Sequence, residues 1–386
     1  MTEAPKDNPS SGALSFSPPL SFFSCAKTLI MDVTNKNQVR NATYETAKKR
    51  RVTLQQVAEH AGVSTSTASL IVRNNPRISE ATREKVLQSM RELGYVYDRV
   101  AANLRSQTST TVGLIITDIS NTFFSEFLIG VQNTLEEVGL TVLLGTTFDS
   151  VAKQEQLIST MLEHRVGGLI LCPVSGTAEE TLSRLEQLDI PVVLAVREIA
   201  DADCDFVGAD YEEGTYKAVR HFIEKGHQEI AFLGGVKHSS TWTKRMKGFK
   251  KALREADLEV KNDYVIDSAP TREAGCEAVT ELLRRSERPT AIFCFSDLVA
   301  FGVMQGIRKA GLIPGEDIDI VGFDNVPEAE ISYPPLTTVS SFPRQSGKEA
   351  AQLLHHKITS SQHKKQRIIL APELVIRESS QKKRNA

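Results

Sequence analysis

The spacing of apolar positions predicts three short helices between residues 52 and 94. The inward-facing positions are Val57, Ala58 and Ala61 in the first helix, Ala68, Ile71 and Val72 in the second, and Val86, Leu87, Met90 and Leu93 in the third. Thr53 and Gln56 have the spacing of a capping box, while Gly62 ends the first helix and Ser64 starts the next. Two short helices around a glycine-containing turn, supported by a third, indicate a helix-turn-helix unit.

From residue 112 the pattern changes to continuous apolar runs that alternate with amphipathic helices. The strand-like runs are 112–116, 141–144, 168–171, 192–196, 230–233, 291–295 and 318–321. Such an alternation is typical of a parallel sheet that is covered on both faces. Because there are too many units for one compact sheet, we predict an α/β core of two doubly wound parallel sheets, which divides near residues 204–210.

The domain organisation follows from these changes of pattern. We expect a disordered extension at 1–51, a helix-turn-helix head at 52–98, a linker at 99–108 and a core at 109–380, whose first lobe takes about 109–206 with part of the C-terminal tail and whose second lobe takes about 207–336. The extension is predicted from its content of Ser, Pro, Asn and Thr and from its lack of a sustained period.

Charge is distributed unevenly along the chain. All 386 residues together contain 46 Lys and Arg against 48 Asp and Glu, which gives a formal net charge of −2. Residues 48–106 nevertheless contain eleven basic and five acidic residues, so this segment carries +6 and the remainder −8. A basic head on an acidic body suits phosphate binding at one end of the molecule.

The composition excludes several classes of protein. No uninterrupted apolar run reaches the roughly 18 residues of a membrane span, so no membrane partner is expected. The mildly apolar stretch at 13–31 contains Pro18-Pro19 and follows a single basic residue, Lys6, which argues against a cleaved secretion signal. Five widely scattered cysteines indicate reduced thiols in a cytoplasmic protein, and we predict neither a metal site nor a cofactor.

The second helix of the head has the most specific chemical signal. In a helix-turn-helix unit this helix enters the DNA major groove, where side chains near its start reach base edges. We expect Thr65, Ser66 and Leu70 to contact bases, since an apolar side chain on an exposed face fits a thymine methyl group. The other predicted DNA contacts are Ser64, Thr67 and Ser69, mainly with phosphates, and Thr53, Arg73, Arg77 and Tyr95. The alternative for Leu70 is packing within the head.

Several ordered motifs resemble the LacI/GalR family of bacterial transcription regulators. They are VTLQQVAEHAGVS at 52–64, TAS at 67–69, IS at 78–79, TREKV at 82–86, LGY at 93–95, GHQEIAFLGG at 226–235, VGFD at 321–324 and PPLTTV at 334–339. The resemblance covers nearly all of the chain from residue 52 to about residue 376. It implies a two-lobed effector-binding core like that of a periplasmic sugar-binding protein, and a homodimer, or a higher oligomer, that binds a palindromic operator.

The resemblance also implies that the linker becomes a hinge helix on DNA. The matching stretch is 99–105, in which Arg99, Ala101 and Leu104 are expected to contact DNA, with Leu104 as a wedge in the minor groove. The alternative for Leu104 is an ordinary apolar residue of the linker. Tyr97-Asp98 departs from the usual Pro-Asn of the family and brings a negative charge close to phosphates.

For the effector cleft, the resemblance points to strand ends that face each other across the lobes. The matching residues are Asn121, Phe123, Phe124, Arg197, Arg245, Asp297, Phe323 and Asp324. Val196 stands where the family usually has an aspartate before Arg197. Trp242 is a further candidate, since it lies one helical turn from Arg245 and can stack on a sugar ring. The alternative for Arg197, Arg245 and Asp297 is a surface or interdomain ion pair.

Together these features predict a cytoplasmic, effector-controlled repressor, with a sugar or sugar derivative as its effector and a carbohydrate operon as its target. The chain has no dinucleotide-binding glycine motif, no phosphate-binding loop and no nucleophile elbow, so we do not predict an enzyme. Two alternatives share the core: a solute-binding protein of transport or chemotaxis, and a sugar-modifying enzyme. The basic head distinguishes the prediction from the first alternative, and the missing catalytic constellation distinguishes it from the second.

Overall fold

A computed structural model describes residues 52–72, 75–96, 109–360 and 362–381. These residues form two compact units, the head at 52–96 and the core at 109–381. The predictions for the N-terminal extension, for Arg73 and for the hinge residues Arg99, Ala101 and Leu104 lie outside the described residues.

The head contains the three predicted helices, α1 (Leu54–Ala61), α2 (Thr65–Val72) and α3 (Glu80–Leu93). The capping box is formed, because Thr53 Oγ1 accepts a hydrogen bond from Gln56 N at 3.3 Å and Gln56 Oε1 accepts one from Thr53 N at 2.9 Å. Gly62 ends α1 with a φ of 64°, a conformation that a side chain would disfavour. The predicted stripe of α3 needs one correction: Leu87 is exposed, because the helix turns its Val86 face toward the other two.

The core alternates strands and helices. Its first part contains β1 (Thr111–Ile116), α4 (Thr122–Glu137), β2 (Thr141–Thr146), α5 (Val151–Glu163), β3 (Leu169–Leu171), α6 (Glu179–Gln187), β4 (Val192–Ala195) and β5 (Asp205–Ala209). Its second part contains α7 (Tyr211–Glu224), β6 (Ile230–Leu233), α8 (Ser240–Glu255), β7 (Val265–Ile266), α9 (Arg272–Leu283), β8 (Ala291–Cys294), α10 (Asp297–Lys309), β9 (Asp319–Asp324), α11 (Glu328–Ile331), β10 (Thr337–Ser340), α12 (Pro343–Thr359), β11 (Arg367–Leu370) and β12 (Glu373–Val375).

The strands form two six-stranded sheets, as predicted, and the fold is the expected two-lobed α/β architecture. The first sheet has the order β11-β5-β4-β3-β1-β2 and is parallel throughout. The second has the order β12-β10-β9-β8-β6-β7, and only β12 is antiparallel to its neighbour. Helices pack on both sheets. The inner strands are buried along most of their length, whereas the edge strands β2, β7, β11 and β12 are partly exposed.

The division between the lobes falls at the end of the segment, 204–210, in which the sequence predicts it. Strand β5 occupies the segment where the division was expected, and it pairs with β4 and β11 of the first sheet. The chain therefore passes to the second lobe at Asp210 rather than near residue 207. It returns through Phe342 so that α12 packs on α4, and it crosses again between β11 and β12. In both sheets the carboxyl ends of parallel strands are where a ligand crevice is expected.

Candidate functional site

The exposed side of α2 carries the predicted DNA-contact residues. Thr65, Ser66 and Leu70 are exposed, whereas Thr67 and Ser69 are half-buried. Leu70 does not belong to the apolar cluster of the head, which is built around Val57, Ala58, Ala61, Ala68, Ile71 and Val86. Because this apolar side chain lies outside the core of the head, it is accessible to a DNA base, and the base contact stays a prediction.

Ser64 has a structural role at the start of α2. Its Oγ accepts a hydrogen bond from Thr67 N at 3.1 Å and lies 2.8 Å from both Ser66 Oγ and Thr67 Oγ1. It therefore caps the helix and links the hydroxyl groups that follow it.

We predict that Ser64→Ala lowers the free energy of unfolding of the head by about 1 kcal/mol, because the capping hydrogen bond is lost. Ser79 is a matched control: it occupies the same position before α3, but its side chain makes no capping hydrogen bond to the helix backbone. Urea unfolding followed by circular dichroism measures both variants, and an equal cost for the two would contradict the assigned cap.

We predict that Leu70→Ala weakens operator binding roughly tenfold, since burying a leucine side chain against DNA contributes about 1–2 kcal/mol. Leu87→Ala is the control, because the two leucines are 37% and 38% exposed but lie on different helices. Fluorescence anisotropy with labelled operator DNA checks this. Equal losses for both variants would show that α2 is not the reading helix.

The other predicted DNA contacts of the head differ in their settings. Thr53 is exposed and caps α1, and Arg77 is exposed on the segment between α2 and α3. Tyr95 is half-buried and packs against the apolar cluster of the head. Thr53 and Arg77 are thus accessible to phosphates, and most of the Tyr95 side chain serves the fold.

A cavity of about 270 Å³ lies between the carboxyl ends of the strands of the two sheets. Six of the nine predicted effector residues line it: Asn121, Phe123, Phe124, Arg197, Arg245 and Asp324. Residues that the sequence did not single out also line it, among them Asp149, Tyr211, Phe295, Ser296 and Thr271. Aromatic rings form much of the wall, and charged groups lie on the sides contributed by both lobes.

Asp149 supplies the carboxylate that the sequence lacks beside Arg197. Arg197 Nη1 is hydrogen-bonded to Asp149 Oδ1, and Arg197 Nη2 donates to Asp149 Oδ2 at 3.1 Å. Burial opposes the charge of Arg197, but the bidentate bond to Asp149 raises its pKa above the ordinary value. Asp149 follows β2, so the aspartate missing at Val196 is replaced from a different strand end.

Arg245 lies in an aromatic cage with few hydrogen bonds. Its guanidinium carbon is 4.5, 4.3 and 4.0 Å from the ring centres of Tyr211, Phe295 and Phe323. Its Nη1 donates to Thr241 O at 3.4 Å, and Nε has no hydrogen-bond partner. Burial lowers the pKa of Arg245, while nearby carboxylates act in the opposite direction.

Asp324 is the nearest carboxylate to Arg245 but does not hydrogen-bond to it. Arg245 Nη2 and Asp324 Oδ1 are 3.9 Å apart, and Asp324 Oδ1 accepts a hydrogen bond from Ser341 Oγ at 3.3 Å. Burial raises the pKa of Asp324 to about 7, against the opposing effects of Arg245 and Ser341. This carboxyl group therefore changes charge near neutral pH, inside the cavity.

Three predicted effector residues do not line the cavity. Phe323 is fully buried beneath Arg245 and supports the guanidinium from below. Asp297 is fully buried and accepts hydrogen bonds from Thr338 Oγ1 at 2.5 Å and Val326 N at 2.9 Å, so it joins neighbouring strand ends of the second sheet. Trp242 is half-buried and stacks on Phe232 with ring centres 6.0 Å apart, packed against the core. These three predictions are corrected to supporting roles.

The described residues contain no helix that is long and apolar enough to cross a membrane. Within the same ranges, no group of three or more His, Cys, Asp or Glu side chains is arranged to hold a metal ion.

The fold and the two sites define a class of protein: a transcription regulator with a helix-turn-helix head and a two-lobed, periplasmic-binding-protein-like core. A family model of bacterial regulatory proteins of the lacI family matches residues 53–98, and one of a periplasmic binding protein-like domain matches residues 219–380. The HTH-type transcriptional repressor PurR of Photobacterium profundum is 35% identical over 85% of this chain and 98% of its own length. Catabolite control protein A of Priestia megaterium is 36% identical over 78% of this chain and 91% of its own.

Solved structures agree with these relatives. The Lac repressor dimer bound to operator and the anti-inducer ONPF has a TM-score of 0.75 at 27% identity, covering 86% of this chain and 99% of that one. The complex of the transcriptional regulator CelR with cellobiose has a TM-score of 0.65 at 30% identity, covering 86% of this chain and 100% of that one. The chain belongs to the LacI family of bacterial transcription regulators. It is a DNA-binding regulator, as the sequence predicts.

Proposed function

We propose that this protein represses transcription from a palindromic operator and that a small molecule, a sugar or sugar derivative, controls it by binding in the cavity between the lobes. The observation that carries the proposal is the cavity itself. Its wall includes Arg245, whose Nε has no hydrogen-bond partner, and the same chain has a helix-turn-helix head. Small-molecule sites are concave and mostly apolar, with a few convergent polar groups, and this cavity has that composition.

Contacts between the lobes can couple ligand binding to the relative arrangement of the two lobes. Glu198 adjoins the cavity residue Arg197 and forms an ion pair with Lys244 of the second lobe. Elsewhere along the interface, Thr122 Oγ1 of the first lobe donates to Glu328 Oε1 of the second at 2.6 Å. A ligand that bridges the lobes changes the free energy of these contacts, so its binding is coupled to their arrangement.

Two exposed apolar side chains support a homodimer. Ile331, the last residue of α11, and Tyr333 are 82% and 83% exposed, and Ile313 of the same lobe is also exposed. Large apolar groups left this open on a core domain are typical of a protein interface. A twofold-symmetric dimer places its two heads on the two halves of a palindrome, so a homodimer accounts for a palindromic operator.

We predict that Tyr333→Asp halves the mass measured by light scattering at micromolar concentration, because a charge is placed in an apolar interface. Leu188→Asp is the control, since Leu188 is an exposed leucine of the first lobe, remote in sequence from the Ile331–Tyr333 segment. If Tyr333→Asp kept the wild-type mass, the dimer interface would lie elsewhere.

We also propose that the protein acts in the cytoplasm and is not an enzyme. The location is supported by the DNA-binding head, because bacterial DNA lies in the cytoplasm. The absence of enzyme activity is supported by the family of transcription regulators to which the chain belongs. A solute-binding protein of transport would have no use for the capped reading helix α2.

A screen of ligands tests the proposed control. Sugars, sugar phosphates and nucleosides are added to the full chain, and a cavity ligand raises the midpoint of thermal unfolding by mass action. Compounds that do so are then added to the complex with operator DNA. The proposal expects at least one of them to change operator affinity about tenfold or more, within the usual range of coupling free energies. Stabilising ligands that leave operator affinity unchanged would contradict it.

A further inference from the structure

We infer that the effector carries a carboxylate group and that this group binds to Arg245. The inference rests on the proposed function of the cavity as the effector site and names the chemical class of its ligand.

Arg245 is a buried cation without a full set of partners. A guanidinium has five N–H donors in a planar fork. Here one donor reaches Thr241 O at the long distance of 3.4 Å, the nearest carboxylate oxygen of Asp324 is 3.9 Å away, and Nε has no partner. The residue is only 3% exposed and lines the cavity, so bulk water does not compensate. A buried charge in this condition is costly unless an opposite charge completes it.

The acidic groups that face the cavity do not fill this role. Asp149 is occupied by the fork of Arg197. Asp118 accepts hydrogen bonds from the backbone and side chain of Ser120 at 2.9 and 2.8 Å. Asp324 is held by Ser341 and lies beyond hydrogen-bond distance from Arg245. The fork of Arg245 is therefore the open donor set among the charged groups of the cavity wall.

Three helix N-termini add positive potential at the same place. Asn121, Thr271 and Ser296 line the cavity, and each caps a helix, α4, α9 and α10 respectively. These helices have 16, 12 and 13 residues, long enough for a developed dipole. The positive ends of helices favour anions, so they act in the same direction as the open arginine.

The walls restrict the body of the ligand. Phe123, Phe124 and Phe295 line the cavity, and its volume of about 270 Å³ is below the roughly 300–1,000 Å³ of sites for drug-sized ligands. A compact ring or short chain with an acidic group fits these limits. Sugar acids and aromatic acids share this chemistry, and a ligand series can separate them.

Matched pairs of acids and neutral compounds test the inference. The pairs are glucuronate with glucose, benzoate with benzamide, and acetate with acetamide. The readout is the fluorescence of Trp242, the one tryptophan of the chain, which lies on α8 one turn from Arg245. We expect the acid of at least one pair to bind about tenfold or more tightly than its neutral partner, because hydrogen bonds to a charged acceptor are the stronger ones. Tighter binding of glucuronate than of glucose would identify the effector as a sugar acid, and tighter binding of benzoate than of benzamide would identify it as an aromatic acid.

Variants locate the carboxylate. Arg245→Lys keeps the charge but loses the planar fork, and we expect it to lose most of the preference for the acid. Arg254→Lys, at an exposed position of the same helix, is expected to keep it. The inference is overturned if no acid binds better than its neutral partner, or if Arg245→Lys retains the full preference. A neutral sugar that binds the protein and lowers its affinity for operator DNA would overturn the inference and leave the proposed function standing.

Discussion

Arg245→Met is expected to abolish the response of operator binding to the effector. The variant removes the charged fork and keeps an unbranched side chain that fits among Tyr211, Phe295 and Phe323. Losing charge-assisted hydrogen bonds of about 2–3 kcal/mol weakens the ligand roughly hundredfold. Titration of the effector into the complex with labelled operator measures the loss.

The same variant separates function from stability. Because the Arg245 cation is buried with few hydrogen bonds, replacing it with methionine is expected to leave the unliganded core at least as stable as before. Arg254→Met is the control and should respond to the effector as the wild type does. A full effector response in Arg245→Met would place the ligand outside this cavity, and a large loss of stability would assign Arg245 to the fold.

Asp324→Asn is expected to make the core more stable at alkaline pH and to change it little at acid pH. The pKa of Asp324 is raised from 3.8 to about 7 in the folded protein, so between these values the folded state holds a proton that the unfolded chain has lost. The neutral carboxyl group of Asp324 therefore contributes to the free energy of unfolding at acid pH, and this contribution is lost as the pH rises through about 7. Asparagine stays neutral, so the variant gains up to roughly 4 kcal/mol above that pH.

Asp319 provides a control of opposite sign on the same strand. Burial would raise its pKa, but its hydrogen bonds with His227, at 3.1 Å, and with Lys225 hold the pKa below the ordinary value. Asp319→Asn should therefore cost stability at neutral pH, and the cost should shrink as the pH falls toward 3.8 and below. Urea unfolding at pH 3.5, pH 5 and pH 8.5 measures both variants. Parallel pH profiles for the two would contradict the assigned environment of Asp324.

The elements with strong local signals could be predicted from the sequence. In the head, Thr53 and Ser64 cap the first two helices, a glycine follows the first and the third, and apolar positions repeat within short windows. The structure confirms all three helices. Seven strands of the core were predicted from continuous apolar runs. Strand β5 was not, because its short sequence contains a glycine and starts with Asp205, whose charge is compensated by Lys357 and His363 from distant parts of the chain.

The cavity shows where sequence information ends. An arginine without its usual neighbouring aspartate signals that another carboxylate is needed, but only the fold brings Asp149 of the loop after β2 to Arg197. Phe323 and Asp297 lie at strand ends, and their side chains point into the second lobe because the sheet is buried on both faces. A continuous apolar strand contains no period-2 signal to tell which of its residues face a cleft.

The most direct test of the central claim is selection of DNA by the full chain from a random duplex library. The account predicts enrichment of an inverted repeat, as a symmetric dimer with one reading helix in each half requires, and Leu70→Ala should relax the preference within each half. Recovery of no common sequence, or of a single asymmetric site bound equally well by Leu70→Ala, would contradict it.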